Sequence, residues 1–285
     1  PDGTVVRVPA NTKLDEPIRI EARQTEAGTT LNHRTLVILE DGAEAEIWDT
    51  LATTHDEAGI VNGVVELHVG ANATLRYISV QDVNEQTWVF GSQRAIVERD
   101  GNLDWSVIGF GGINGKVFQE TTLAGAGADA KVTGAYATHG KQHVDFDTLQ
   151  EHAAPNTTSD LAFRGIVAER SSAVWRGMIK VDPGAQKTDA FQEARNLLIG
   201  SKAHADAIPG LEILADDVAC THAAAIAKID AEQIFYLRSH GLPQAIAERL
   251  VVEGFLGALV ERYPEGQLRD QVAELINDRL ALVLN

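Results

Sequence analysis

The sequence predicts an all-β core, a right-handed parallel β-helix (β-solenoid), with a C-terminal α-helical subdomain. Three observations support this fold. Apolar and polar residues alternate along short segments, turn signals recur at a nearly constant spacing, and the periodicity becomes helical near residue 230. We therefore predict a β-helix core at 1–229 and a helical subdomain at 230–285.

The predicted strands alternate with period two. Examples lie at 43–47, 65–69, 103–107 and 143–148. Because successive side chains of a strand point to opposite sides, each segment turns one face toward a core and the other toward solvent.

Turn signals separate these strands at Gly42, Gly70, Gly101, Gly127 and Asn156, with spacings of 28, 31, 26 and 29 residues. A loose repeat of this length is typical of one coil of a β-solenoid. No helical pattern intervenes, which argues against alternating strand–helix units. From periodicity alone, a β-sandwich meander stays open as an alternative.

The tail has the pattern of a small helical bundle. Asp230 is a predicted N-cap with Gln233 three residues later, and Gly241 ends the first helix. Apolar stripes with helical spacing follow at 252–260 and 268–283. So small a bundle cannot bury every stripe by itself, and it must pack on the β core, on a partner, or on both.

Composition and charge limit the classes of function. The formal net charge of −17 argues against nonspecific binding to nucleic acids or to anionic membranes. No apolar run reaches the roughly 18 residues of a membrane span. One cysteine in 285 residues excludes an internal disulfide and fits a reducing compartment, so we expect a cytoplasmic protein. Because the chain begins at Pro1 without Met, we expect that an N-terminal part is missing.

The glycine-rich segment 109–116, GFGGINGK, has the composition of a phosphate-binding loop but not its pattern. Phe110 and Val117 stand where a Walker motif requires Gly and Ser or Thr, and no helix is predicted to follow. We interpret the segment as a turn of the β-helix.

The densest group of potential metal ligands comprises His139, His143, Asp145, Asp147 and His152. On a strand, residues 143, 145 and 147 share one face. No neighbouring segment completes a closed ligand set, so we prefer a solvated polar face to a metal site.

Cys220, the only cysteine, lies two residues before His222, which places both side chains on one face of a strand. Cys and His are soft ligands that proteins use for iron, copper and zinc. One such pair cannot complete a metal site, so a second chain or a transient cargo has to supply the rest. A single free Cys serving as a small buried apolar residue is the alternative.

Three blocks of the chain read QHVDFDTLQEHAAPNTTSDLAFRG at 142–165, WRGMIKVDPGAQKTDAFQEARNLLI at 175–199 and LEILADDVACTHAAAIAKIDAEQIFYLRSHG at 211–241. They resemble the SufB/SufD family of the SUF iron–sulfur cluster assembly system, and within it the SufD branch. SufB-like chains carry E-H-E where this chain has Cys-Thr-His. Ala223, Ala225 and Ala227 depart from the usual H-G-A-T-[VI]-G pattern, and a Gly-to-Ala change restricts positive φ.

The resemblance implies a non-catalytic scaffold subunit that pairs with SufB through the ends of their β-helices and binds the SufC ATPase through its C-terminal helices. A nascent iron–sulfur cluster would form at the interface with SufB, while this chain alone would hold no cofactor stably. The resemblance also implies an iron-binding role for His222, with Cys220 as a helper. Phe235, Tyr236 and Phe255 are the implied SufC contacts.

Two other functions stay open at this point. One is a structural module in which two copies of the β-helix form a homodimer. The other is a carbohydrate-active β-helix protein, which needs paired carboxylates in a groove. No convincing pair with aromatic platforms is readable in a chain with 6% aromatic residues.

Overall fold

The computed structural model describes residues 2–284, which form sixteen strands and three helices. The strands are β1 (Asp2–Val8), β2 (Ile18–Gln24), β3 (Thr30–Leu39), β4 (Glu44–Thr53), β5 (Gly59–Val69), β6 (Thr74–Asp82), β7 (Thr87–Val97), β8 (Asn102–Phe110), β9 (Asn114–Leu123), β10 (Asp129–Thr138), β11 (His143–His152), β12 (Thr158–Ala168), β13 (Ser172–Val181), β14 (Asp189–Ile199), β15 (His204–Ile213) and β16 (Ala219–Lys228). The helices are α1 (Ala231–Ser239), α2 (Gln244–Val260) and α3 (Gln267–Val283).

Parallel pairing between alternate strands generates a β-helix. The odd-numbered strands form sheet A and the even-numbered strands form sheet B, each with eight strands stacked in chain order. One coil therefore contributes one strand to each sheet, and about eight coils make the solenoid. The predicted β-helix with a helical tail is confirmed.

A ladder of turns joins each strand of sheet A to the next strand of sheet B. The predicted turn signals lie in this ladder, where Gly42, Asn72, Asp100, Gly127 and Asn156 have φ between 55° and 76°. The amide N–H of each donates to a carbonyl of the next coil at 2.8 to 3.3 Å. Gly, Asn and Asp adopt this left-handed conformation at lower cost than other residues, so the sequence marks these five turns. Lys187, with φ of 61°, occupies the equivalent position before β14.

Aromatic rings stack along the interior between the two sheets. The rings of Tyr136, Phe146, Phe163 and Trp175 follow one another with centroids 5.5, 5.6 and 6.3 Å apart. All four residues are buried. Gly165 makes room for this stack, because a Cβ there would lie 2.1 Å from the Tyr136 ring. Large aromatic side chains contribute much of the free energy gained when a core is buried. The middle coils, which carry this stack, therefore contribute strongly to the stability of the domain.

Helices α2 and α3 pack on the outer face of sheet B. Asp230 caps α1 by accepting a hydrogen bond from the Glu232 N–H, as its predicted N-cap role requires. The predicted stripes supply the buried residues Val252, Leu256 and Leu259 of α2 and Leu268, Val272, Ile276, Leu280 and Val283 of α3. Leu259 packs against Ala135 and Ala162, and the other residues form one apolar cluster with Ile78, Ile108 and Phe110 of sheet B.

Arg279 fastens α3 to the β-helix through buried hydrogen bonds. Its guanidinium donates to Ala137 O at 3.2 Å, to Glu85 Oε1 at 3.2 Å and to Gln142 Oε1 at 3.0 Å. Burial lowers its pKa, and the charge of Glu85 opposes that change. A buried cation of this kind holds the helix in one position because each donor needs its own acceptor.

The glycine-rich segment 109–116 includes the turn between β8 and β9, in agreement with its interpretation from the sequence. Gly111 and Gly112 have φ of 77° and 74°. A Cβ on Gly111 would lie 1.7 Å from Val83 O. The glycines are required by the close approach of neighbouring coils.

Asn72 provides a test of the turn ladder. We expect Asn72→Val to lower the free energy of unfolding by about 1–2 kcal/mol, because a β-branched residue is strained at positive φ. Asn72→Gly adopts the same conformation freely and should change that free energy by less than about 0.5 kcal/mol. Urea denaturation measures both variants, and equal losses would contradict the role of the left-handed turn.

His152 is buried in the interior at the end of β11. Its ring nitrogens lie 2.8 Å from Thr157 Oγ1 and 2.9 Å from Ser159 Oγ. Burial lowers its pKa from 6.5 to about 4. As the pH falls, the unfolded chain therefore takes up this proton before the folded chain does, which favours unfolding.

The His152 contribution to stability should be intact above pH 6.5 and should decrease as the pH falls from 6.5 toward 4. The loss should reach roughly 3 kcal/mol. His152→Gln should flatten this acid dependence in urea titrations between these two pH values. The exposed control His240→Gln should leave it unchanged, and a wild-type slope in His152→Gln would rule out His152 as its source.

Candidate functional site

The last coil, formed by β15 and β16, leaves one end of the β-helix uncovered. Within residues 2–284, β15 pairs only with β13 and β16 pairs only with β14, so each strand has an unpaired edge. An unpaired edge is a template for pairing with a strand of another chain. We call this last coil the open end.

Apolar positions that are core positions elsewhere are uncovered at the open end. Leu211, Ile213 and Ile226 are 36%, 40% and 45% exposed. One coil earlier, Ile179 and Val181 are the register partners of the first two, and both are fully buried. A further layer of chain would bury the open end in the same way, as expected of an interaction surface.

The inner face of β16 carries Cys220 and His222. In register, Cys220 lies beside Ala190 and His222 beside Gln192, and both partners are buried in β14. Both side chains therefore project from the interior side of the open end, with Cα atoms about 7 Å apart. Gln192 is a member of this group that the sequence does not single out; its only signal is a polar residue at an inward position of an alternating strand.

Cys220 is half-buried beside an interior apolar cluster that includes Val181 and Ala185. Burial raises the pKa of its thiol, and the negative charge of Asp189 raises it further. At neutral pH the group is therefore a protonated thiol, which must lose its proton to bind a metal ion. This environment is the opposite of one that activates a cysteine nucleophile.

Two donors do not complete a metal site. Among the side chains of the described residues, no group of three or more His, Cys, Asp or Glu is arranged to hold a metal ion. Imidazole and thiolate are ligand types that suit iron and iron–sulfur clusters. The donor types at the open end thus fit iron, and an iron ion bound there would need ligands in addition to these two.

A family model provides an independent comparison. The model for the SUF system FeS cluster assembly, SufBD core domain, matches residues 21–255, which include the open end. The chain belongs to the SufBD family.

Curated SufBD relatives match almost the whole chain. The iron–sulfur cluster assembly protein SufD of Bacillus subtilis (strain 168) is 27% identical over 281 residues, which cover 98% of this chain and 64% of that protein. A SufBD family protein of Mycobacterium leprae (strain TN) is 30% identical over 289 residues, covering 98% and 72%. The chain thus spans about two thirds of the length of these relatives.

Three alanines that depart from the usual SufBD pattern lie within regular strand. Ala223, Ala225 and Ala227 belong to β16, and no residue of β16 has positive φ. Alanine is therefore compatible with the backbone at these positions. By alternation the three project away from His222, on the side that faces the helices.

The SufBD helical tail leaves one helix unburied. α1 has no buried residue, and its Phe235 and Tyr236 are 75% and 63% exposed. Tyr236 borders a groove of about 840 Å³ that is also lined by Leu250 and Phe255. Phe255 is more enclosed, because the Arg164 guanidinium lies 5.2 Å from its ring centroid.

The His–Asp group around β11 is not brought together as a site. Asp145 and Asp147 lie on the outer face of sheet A, where Arg176 contacts each of them at 2.9 Å. Lys116 also pairs with both carboxylates. His152 points to the opposite, interior side. This arrangement supports the preferred interpretation of the segment as a polar face. Carboxylates that are paired with Lys and Arg in this way are poorly suited to acid–base catalysis on a glycoside.

None of the helices found between residues 2 and 284 has both the length and the apolar character needed to cross a bilayer.

Alkylation tests the environment of Cys220. We expect the pH profile of its iodoacetamide labelling to give a pKa above the usual thiol value, because burial and Asp189 both disfavour the thiolate. Asp189→Asn should lower that pKa by removing the negative charge. A pKa below the usual value, or no response to Asp189→Asn, would contradict this description.

Proposed function

We propose that this chain is a SufD-type scaffold subunit that pairs with a SufB-type protein and binds a SufC-type ATPase. The observation that carries the proposal is the open end, where Cys220 and His222 lie beside unpaired edges and uncovered core positions. Membership of the SufBD family and the 27% identity to SufD of Bacillus subtilis support it.

The open end has the features of the interface with a SufB-type partner. Its two unpaired strand edges offer backbone hydrogen bonds, and Leu211, Ile213 and Ile226 offer apolar area. A second β-helix end supplies the same two features, so the two surfaces complement each other. Burial of these side chains would stabilise the pair by roughly 25 cal/mol per Å² of apolar surface.

The iron–sulfur cluster is cargo in this proposal. His222 would offer an imidazole nitrogen to iron, and Cys220 would offer a thiolate after loss of its proton. The remaining ligands would come from the partner or from the sulfur of the nascent cluster. Such an incomplete site suits a scaffold, because a cluster with few ligands from each subunit can be released.

The surface of α1 is the proposed SufC dock. Phe235 and Tyr236 are exposed on a helix without buried residues, next to the groove lined by Leu250. Exposed aromatic side chains beside a groove are typical anchors of a protein interface. Phe255 contributes one wall of the groove. The ATPase chemistry would belong to the partner, and the single free thiol suits a cytoplasmic setting.

The cluster role is tested with the full-length protein co-expressed with the SufB-type and SufC-type proteins of the same genome. After anaerobic reconstitution with iron and sulfide, we expect His222→Ala to reduce cluster absorbance several-fold while the three proteins still co-purify. Thr221→Ala alters the neighbouring residue on the opposite strand face and should behave as wild type. Normal cluster loading in His222→Ala would exclude the proposed role of His222.

The dock is tested by pull-down of the SufC-type ATPase. We expect Phe235→Ala with Tyr236→Ala to weaken its binding at least tenfold, because two exposed anchors are removed. Arg238→Ala on the same helix is the matched control and should retain most of the binding. Undiminished binding by the double variant would place the dock elsewhere, without affecting the result for His222.

A further inference from the structure

Gln192 lies directly beneath His222 in the stack of coils. The two residues are register partners in the adjacent parallel strands β14 and β16. Neighbouring strands are about 4.8 Å apart, and in-register side chains project in the same direction. Gln192 is fully buried, so it is the last enclosed polar side chain before the open end at this position.

The amide of Gln192 is held in one orientation. Its Nε2 donates to Gly177 O at 3.3 Å and to Gly210 O at 3.0 Å, which belong to β13 and β15. The side chain therefore spans the interior from sheet B to sheet A. Gly177 makes room for it, since a Cβ there would lie 2.5 Å from the Gln192 Oε1.

This orientation leaves the amide oxygen available. Only the amide nitrogen can donate hydrogen bonds to these two carbonyl oxygens. The other terminal atom of the side chain is therefore the oxygen, Oε1. Within residues 2–284, this Oε1 has no hydrogen-bond partner. A buried acceptor without a donor is unfavourable, and such exceptions call for a specific explanation.

His222 is suited to provide the missing donor. A neutral imidazole has one N–H and one nitrogen lone pair. A histidine that binds metal through one nitrogen usually donates its other N–H to a carbonyl or carboxylate, which sets both the tautomer and the ring orientation. We infer that Gln192 is a positioning residue whose Oε1 accepts the ring N–H of His222 and leaves the second nitrogen facing the open end.

The proposed hydrogen bond involves only residues of this chain, whereas its use in binding iron rests on the function proposed above. The direct test is therefore made without iron. In the ¹⁵N-histidine-labelled protein at about pH 8, where a histidine with an ordinary pKa is neutral, long-range ¹H–¹⁵N spectra report the tautomer of His222. The His222→Gln variant assigns its signals.

We expect one dominant tautomer in the wild-type protein and a mixture close to that of a free imidazole in Gln192→Leu. Gln150→Leu also removes a buried glutamine of the interior, on β11, and should leave the His222 signals unchanged. A free-imidazole mixture in the wild-type protein would overturn the inference, and this outcome requires only the assignment variant at the exposed His222, not a variant of the buried interior.

A second readout connects the hydrogen bond to iron. In the reconstituted complex, we expect Gln192→Leu to weaken iron binding 10- to 100-fold, as is usual when the partner of a metal-binding histidine is lost. If the tautomer is fixed but His222→Ala loads clusters normally, the positioning role stands and the proposed function fails. If His222→Ala blocks loading but Gln192→Leu changes neither tautomer nor affinity, the positioning role fails and the proposed function stands.

Discussion

The in-register stacking of parallel coils is the constraint on which the rest of the molecule depends. Backbone hydrogen bonds link each strand to the strand two places along the chain, and the left-handed turn residues repeat this link between coils. Asn72 and Asp100 thus perform the same task one coil apart. Because every coil is positioned by its predecessor, the register also decides which side chains become neighbours in the interior.

The last coil has no following coil to cover its interior face. Ile179 and Val181 are buried, whereas their register partners in the next coil, Leu211 and Ile213, are exposed. The same rule brings Cys220 and His222 to the surface, although their strand alternates like a core strand. The candidate site is thus an interior face without a following coil, which explains why apolar area, unpaired edges and potential metal ligands occur together.

The helices divide the remaining surface into two parts. α2 and α3 cover sheet B through their apolar stripes at 252–260 and 268–283, and Arg279 fixes α3 to the coils. α1 continues directly from the open end and buries none of its residues. The surfaces proposed to bind the SufB-type and SufC-type partners therefore follow each other along the chain. The two partners would bind at neighbouring segments, β16 and α1.

The coil spacing, the turn positions, the capped first helix and the Cys220–His222 pair could all be predicted from the sequence, because each depends on local periodicity or on one residue's conformational preference. The ion pairs of Asp145 and Asp147 with Lys116 and Arg176 could not be predicted, because their partners lie on other coils. Likewise, only the tertiary structure placed Gln192 under His222 and left α1 uncovered. Contacts between coils depend on register, and register is a property of the whole stack.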